Sequence, residues 1–468
     1  MGKQKLKGKE LRKIGFPSDK SKSIAINIMA QHYKHLSKTE ILELLKEVLK
    51  EPYRFEKHEI LGSLAELFIA KVVKNDFTIF KMNEAPKPFK CFGKKFIDQN
   101  TIHQMDLAMQ LPITVKGSLM PDAHVGYGLP IGGVLATKNE VIPYAIGLDI
   151  GCRMAISILD MPVEFLQREK HAIKMALKEE THFGVTKKAD RIIDHEVLER
   201  KEFGQTELLR TLRHKAIQQI GTSGSGNHFV EFGEVEILDG NQMGLAAGKY
   251  VGLVSHSGSR GLGATVANYY KEVAMDKCKL PKGAQHLAWL DLDSEAGQEY
   301  WIAMNLAGDY AKACHDVIHH KLIQRLKLKV LTKIENHHNF AWKEKQHDGE
   351  ELIVHRKGAT PAKIGELGFI PGSMTAPGFI VSGKGNPESL NSASHGAGRK
   401  YSRTKAKSMI TGSQLRQELK KSQVTLIGGG LDEAPNAYKD ITEVMKGQME
   451  LVNVEGKFIP RIVRMCKP

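Results

Sequence analysis

Five short segments carry residues suited to metal or phosphate chemistry, and most of them hold glycines close by. They are Ser394-His395-Gly396-Ala397-Gly398 ahead of Arg399, Asp149-Ile150-Gly151-Cys152, Gly224-Ser225-Gly226-Asn227-His228-Phe229, Ser255-His256-Ser257-Gly258-Ser259-Arg260-Gly261, and His337-His338-Asn339. Glycine lets the backbone turn tightly and approach a ligand, so a histidine between glycines can meet a metal or a phosphate. Asp, Cys and His together are the donor set of transition-metal sites. Asp149 and Cys152 lie three apart after Ile146-Gly147-Leu148, which reads as a strand ending in a turn, so carboxylate and thiolate can face one pocket. His228, His256 and His338 complete the set from three other loops. One thiolate, one carboxylate and three imidazoles exceed a single tetrahedral zinc ion, but a thiolate can bridge two ions. Mixed O, N and S ligation with open positions suits catalytic Mn²⁺ or Zn²⁺. Taken alone, a buried Cys is a small hydrophobe and a lone His a structural hydrogen-bonder. Their shared company is what favours a site. Asp122 and His124 are expected to support it from behind.

His395 has a different use. A neutral imidazole can attack phosphorus and carry a covalent phosphoramidate without a metal. Arg399, Lys400 and Arg403 are expected to offset phosphate charge. Gly221-Thr222-Ser223-Gly224-Ser225-Gly226 and Pro371-Gly372-Ser373-Met374 can present backbone N–H groups to phosphates. Neither ends in the Gly-Lys-Ser/Thr of a Walker loop.

The elements that must position these groups follow from pattern. Residues 1–22 are rich in lysine and read as a mobile basic arm. Ser37 with Glu40 makes a capping box, and Ile41, Leu42, Leu44, Leu45, Val48 and Leu49 recur at helical spacing up to Pro52. A second amphipathic helix is expected from about Glu56 to Val73. The composition changes near Ala85-Pro86-Lys87-Pro88, which sets a helical extension over residues 1–85 apart from a body over 90–468. In the body, β-rich runs (Ile131 to Thr137, Tyr250 to Ser255, Phe379 to Ser382) alternate with helical ones (Val163 to Glu180, Glu295 to Leu326, Ser413 to Lys420). That predicts one large mixed α/β domain, and no G-x-G-x-x-G makes it a Rossmann fold.

Composition narrows the class. The 468 residues are 41% apolar and 26% charged, ordinary for a globular chain, but the net charge of +15 favours a polyanionic partner such as nucleic acid. Five scattered cysteines with no CxxC pair argue against a disulfide framework and for a reducing compartment, the cytoplasm. No secretion signal, myristoylation motif or membrane-spanning apolar run is present, so no membrane partner is expected.

From about Met120 to Lys467 the chain resembles the RtcB family of RNA-splicing ligases, GTP-dependent enzymes that use Mn²⁺, and within it the bacterial type. The resemblance rests on MPDAHVG, GLDIGC, GTSGSGNHFVE, HSGSRGLG, ENHHN, RKGA, PGSM, SHGAGR, SRTKAK and DEAPNAYKDI, in that order. It implies an unusual α/β fold with a central cleft, two Mn²⁺ ions held by Asp149, Cys152, His228, His256 and His338 with Cys152 bridging, and His395 as the guanylylated residue. It also implies a guanylate pocket of Asn227, His228, Phe229, Val230, Glu231, His338, Asn339, Pro371, Gly372, Ser373, Met374, His395, Gly396, Ala397, Gly398 and Lys467, with Glu231 reading the guanine edge. The implied reaction joins RNA 3′-phosphate or 2′,3′-cyclic phosphate ends to 5′-hydroxyl ends in tRNA splicing or RNA repair, by a protein expected to be monomeric. Two features depart from the family pattern. Thr375-Ala376-Pro377-Gly378 follows PGSM where a glycine and a small hydroxyl residue are usual, and Pro468 stands where a terminal glycine is usual. A dinuclear metal phosphoesterase or nuclease acting on RNA would use the same donors without His395, Lys467 or Glu231. A non-catalytic RNA-binding protein would account for the charge but not for the donors.

Overall fold

The computed structural model describes residues 6–16, 19–69, 77–190, 192–346 and 349–467. The chain divides into two compact units, Met1–Asp76 and Phe77–Pro468. This division precedes the composition change at residues 85–88. The reason is that residues 83–87 are tied into the second unit, where Asn83 N–H donates to Gln110 O (2.8 Å) and Lys87 N–H to Met109 O (3.2 Å).

The first unit is helical. Its helices are Gly8–Lys13, Asp19–His32 and Lys38–Lys50, with short turns of helix at Pro52–Phe55 and Gly62–Ala65. The Ser37 capping box forms, with Ser37 N–H donating to Glu40 Oε2 (2.7 Å) and Glu40 N–H to Ser37 Oγ (3.4 Å). The expected mobile arm is instead partly folded. Leu11 and Phe16 are buried beside Ala25, Met29, Leu45 and Val48, so a few apolar residues among many lysines suffice to dock the segment. The expected helix from Glu56 is broken early. His58 Nδ1 accepts the N–H groups of Ile60 and Leu61 (3.2 and 3.3 Å), diverting donors that a continuous helix would use; residues 70–73 of that expectation lie outside the described residues.

The second unit has the expected mixed α/β character. Its largest sheet runs Val330–His337, Arg153–Leu159, Gly248–Ser257, Phe229–Ile237, Val452–Met465, Gly378–Gly383, Leu367–Ile370, all antiparallel, with Thr425–Ile427 parallel to Val452–Met465. Arg153–Leu159 is buried throughout, which explains its nearly unbroken apolar run between two neighbours. A second sheet runs Asn339–Lys345, Glu351–Lys357, Ile131–Thr137, Lys116–His124, Lys90–Cys91. One residue, His338, separates the strand of the first sheet from that of the second.

The expected strands at 131–137, 250–255 and 379–382 are all present. Helix Glu295–Leu326 spans the residues its pattern indicated, capped by Ser294 and ended by left-handed Lys327. The run from Val163 is two helices, Phe165–Arg168 and Lys170–Glu180, interrupted at Glu169. Among the described residues, no helix is long and apolar enough to cross a membrane.

Candidate active site

The donor cluster forms where the ends of several strands meet. Ile146-Gly147-Leu148 is not a strand; it follows the 3-10 turn Pro143–Ala145 and leads into the turn that carries Asp149 and Cys152. Cys152 N–H donates to Asp149 O (3.1 Å) and Gly151 N–H to Asn339 O (2.8 Å), which locks the loop to the second sheet. Gly151 has φ +71°, and a Cβ there would lie 2.8 Å from the Cα of Gly308, so this turn can approach helix Glu295–Leu326 only without a side chain. His256 enters from the end of strand Gly248–Ser257, His228 from the residue before strand Phe229–Ile237, and His338 from the joint between the sheets.

The donor atoms converge. Cys152 Sγ lies 3.5 Å from His228 Nε2 and 3.2 Å from His256 Nε2. His256 Nε2 is 3.4 Å from His338 Nε2, and His228 Nε2 is 3.0 Å from Asp149 Oδ2. Ligands about 2.0–2.3 Å from one ion sit at such mutual distances. The arrangement yields two groups, Asp149 with His228 and His256 with His338, that have the Cys152 thiol in common. Burial, with His228 nearby, pushes His256 down to about 3, and burial with His395 and His256 nearby holds His338 well below its ordinary value. Both rings are therefore neutral at pH 7 and offer lone pairs. His256 Nδ1 donates to Asn227 O (3.1 Å), which leaves Nε2 free to ligate. His228 fits less readily: its Nδ1 accepts the Gly224 N–H (3.0 Å), so its proton sits on Nε2 against Asp149 and an ion there must displace it. Burial and the Asp149 carboxylate raise the Cys152 thiol, and an ion would displace that proton too. The chemistry of the set fits a divalent transition metal.

His395 stands beside this cluster, its ring centroid 4.9 Å from that of His338. Asp122, fully buried, takes both its Nδ1 (2.7 Å) and its backbone N–H (3.2 Å) on Oδ2. Burial raises the Asp122 carboxyl, but His395 and Lys439 together hold it below its ordinary value, so it is ionised and keeps the ring proton on Nδ1. His395 Nδ1 is thereby committed, and its Nε2 makes no hydrogen bond among the described residues. Gly398 has φ +69°, and a Cβ there would meet Asp122 O at 2.1 Å, which accounts for the last glycine of SHGAG. Two cavities, of about 290 and 330 Å³, adjoin it and share Ile131, Asn227, His256, His338 and His395 in their linings.

The model of the family described as tRNA-splicing ligase RtcB matches residues 104–465. The RNA-splicing ligase RtcB of Escherichia coli (strain K12) is 33% identical over 390 residues, covering 76% of this chain and 92% of its own. The tRNA-splicing ligase RtcB of Nanoarchaeum equitans (strain Kin4-M) is 30% identical over 464 residues, covering 82% and 96%. The chain belongs to the RtcB family. RNA-splicing ligase RtcB homolog 1 of Entamoeba histolytica (strain ATCC 30459 / HM-1:IMSS / ABRM) is 31% identical over 457 residues, covering 83% and 84%.

The first cavity gathers most of the residues that the RtcB resemblance assigned to a nucleotide: Asn227, Phe229, Glu231, His338, Pro371 to Met374, and His395 to Gly398. Glu231 is buried and burial alone raises its carboxyl well above the ordinary value. The other positions lie elsewhere. Val230 alternates away from Phe229 and Glu231 and packs in the core with Phe165 and Leu253. His228 and Asn339 line the second cavity, and Asn339 also accepts the Gly358 N–H (2.9 Å). Lys467 is exposed and lines neither cavity. Within the run Gly221 to Gly226, the N–H groups of Thr222, Ser223 and Gly224 are already taken, by Gln219 O, His182 O and His228 Nδ1.

Arg399 is similarly committed. It donates to Tyr401 O, Asp432 O and Glu433 Oε2, and lies over the Tyr438 ring; Arg403 pairs with Glu433 at 3.3 Å but stays half exposed, and Lys400 is exposed. Glu433 and Tyr438 line the first cavity and belong to DEAPNAYKDI, a quoted motif to which no role had been given. Lys357 of RKGA is a further residue at the site. It lines the second cavity, donates to Tyr127 O and Tyr144 O, and burial pushes it down to about 7. His124 lines the first cavity with Nδ1 against Asp122 O (3.1 Å), and burial pushes it down to about 4.

Proposed function

We propose that the protein seals RNA, joining a 3′-phosphate or 2′,3′-cyclic phosphate end to a 5′-hydroxyl end at the expense of GTP. The observation that carries this reading is His395: its Nδ1 is held by buried Asp122, its Nε2 makes no hydrogen bond among the described residues, and it lines both cavities. A metal phosphoesterase built on the same donors would not need a histidine nucleophile. The names of the relatives, RNA-splicing and tRNA-splicing ligases, support the substrate class, and the net charge of +15 suits a polyanion.

In this reading His395 Nε2 attacks the α-phosphorus of GTP, forming an N–P bond as the bond to pyrophosphate breaks. Asp122 stabilises the ring while it carries positive charge. Glu231 faces the base from the floor of the first cavity, where guanine N–H groups would supply the partners its buried carboxyl lacks. An oxygen of the RNA 3′-phosphate, freed by water first if the end is cyclic, then takes GMP from His395 and breaks the N–P bond. The 5′-hydroxyl oxygen attacks the activated 3′-phosphorus, loses its proton and expels GMP. Asp149, Cys152, His228, His256 and His338 would hold two Mn²⁺ ions, which when bound supply charge neutralisation for attacking and leaving oxygens. The protein works as a monomer in the cytoplasm, on tRNA halves or damaged RNA. Incubation with Mn²⁺ and α-labelled GTP, then denaturation, tests the reading. Label should stay on the wild-type chain and be lost in His395→Ala; equal labelling of both would overturn it.

A further inference from the structure

The second cavity has a mouth that this chemistry leaves unused. Val125, Tyr127 and Leu148 line it and are 53%, 70% and 43% exposed. One large apolar side chain in water is ordinary, but three around one opening mark a binding surface. Tyr127 also stands on an anchored loop. The Gln104 side-chain amide donates to Gly126 O and Gly128 O, both at 2.8 Å, and accepts the Gly126 N–H at 3.0 Å. Lys357 Nζ donates to Tyr127 O itself. Tyr144 and His286 flank the ring, with centroids 6.3 and 6.4 Å away. An aromatic presented this way loses little conformational freedom when a planar ligand settles on it.

Its place relative to His395 indicates the ligand. The guanylate cavity and the cavity with this mouth share His256, His338 and His395 in their linings. Phosphoryl transfer runs with attacking and leaving oxygens roughly in line. With GMP held in the first cavity, the second, which also reaches His395, is the space open to the attacking hydroxyl. We propose that Tyr127, with Val125 and Leu148, is a stacking platform for the 5′-terminal base of the RNA strand that supplies the attacking hydroxyl. This rests on the ligase reading above. A ring face accepts any base, so the platform confers little sequence preference at that nucleotide.

The test is sealing by the full-length protein with Mn²⁺ and GTP, measured against the concentration of a 5′-hydroxyl acceptor oligonucleotide, with a 3′-phosphate donor oligonucleotide saturating. Tyr127→Ala should raise the acceptor KM about ten-fold with kcat nearly unchanged, the loss of one base–aromatic stack. Tyr127→Phe should stay near wild type. An acceptor whose 5′-terminal nucleotide lacks its base should not distinguish wild type from Tyr127→Ala. Thermal unfolding of both variants is the control for folding. An unchanged acceptor KM in Tyr127→Ala overturns the proposal. So does an equal penalty with the abasic acceptor, which would make the patch a protein-docking surface or a strut for its loop. A wild-type chain that takes no label from GTP would overturn the ligase reading instead, in an assay that contains no acceptor.

Discussion

Residues 6–69 and 77–467 bury very different side chains. In the helical unit the core is Leu, Ile, Phe, Met, Ala and Val, and among the described residues Ser21 and Lys22 are its only buried polar side chains. The second unit buries Asp122, Glu231, Glu344, Arg356, Lys357 and seven histidines. Burying such groups is costly unless each is partnered. Arg356 is fully partnered, donating to Glu344, Ser392 Oγ and Leu390 O while fully buried, whereas Glu231 in the first cavity is buried without such partners. A fold that needs only stability is served by the first kind of core. The second kind is kept where charge and lone pairs must be delivered to a site, and this contrast can be broken experimentally.

The largest expected effect is at the shared thiol. Cys152→Ala removes the donor common to both ligand groups, and loss of several kcal/mol of charge stabilisation corresponds to roughly 10³-fold slower sealing. Metal analysis should show fewer bound ions, and excess Mn²⁺ should not restore the rate. Two retained ions with normal turnover would return Cys152 to the role of a small core residue. Asp122→Asn comes next. It keeps the volume but no longer dictates the tautomer of His395, so GMP labelling should slow by roughly 10²–10⁴-fold while GTP still binds. An unaltered labelling rate would leave Asp122 as a packing residue only.

In the helical unit the corresponding change is structural. Leu11→Ala deletes a fully buried side chain and should destabilise that unit by roughly 2–5 kcal/mol, whereas Lys9→Gln and Lys13→Gln, both exposed, should leave its melting unchanged. GMP labelling should be the same in all three. The smallest effect concerns Lys357. Burial holds it near 7 against an ordinary 10.5. Between those values the native protein binds fewer protons than the unfolded chain, so wild-type stability rises with pH across that window. Lys357→Met lacks this dependence, so wild-type Tm minus variant Tm should increase from pH 7 to pH 10. A constant difference would mean that burial does not lower the titration of this lysine.

The donor set was legible because Asp149, Cys152, His228, His256 and His338 are residue types with few other reasons to share glycine-rich loops. Local composition located Ile131–Thr137, a short β-rich run that is buried almost throughout, and Glu295–Leu326, a long helical one. What escaped depends on partners remote in sequence. Nothing near Asp122 announces that its carboxylate meets His395, 273 positions on. Nothing near Arg399 announces that Glu433 and Asp432 occupy its guanidinium. The lysines of residues 3–13 drew attention from Leu11, whose burial depends on helices that come later in the chain.

His338 has a mechanical consequence. It is the single residue between strands Val330–His337 and Asn339–Lys345 of different sheets; its N–H donates to Cys152 O (3.0 Å) and its carbonyl accepts from Ala359 N–H (3.2 Å). The first sheet carries Cys152, His228 and His256 at its strand ends, and His338 couples the second sheet to them. Sliding of either sheet past the other must alter the spacing of the donors, so an ion seated among them acts as a rivet. Amide hydrogen exchange should therefore slow in strands of both sheets together when Mn²⁺ is added, and not only in the loops that touch it.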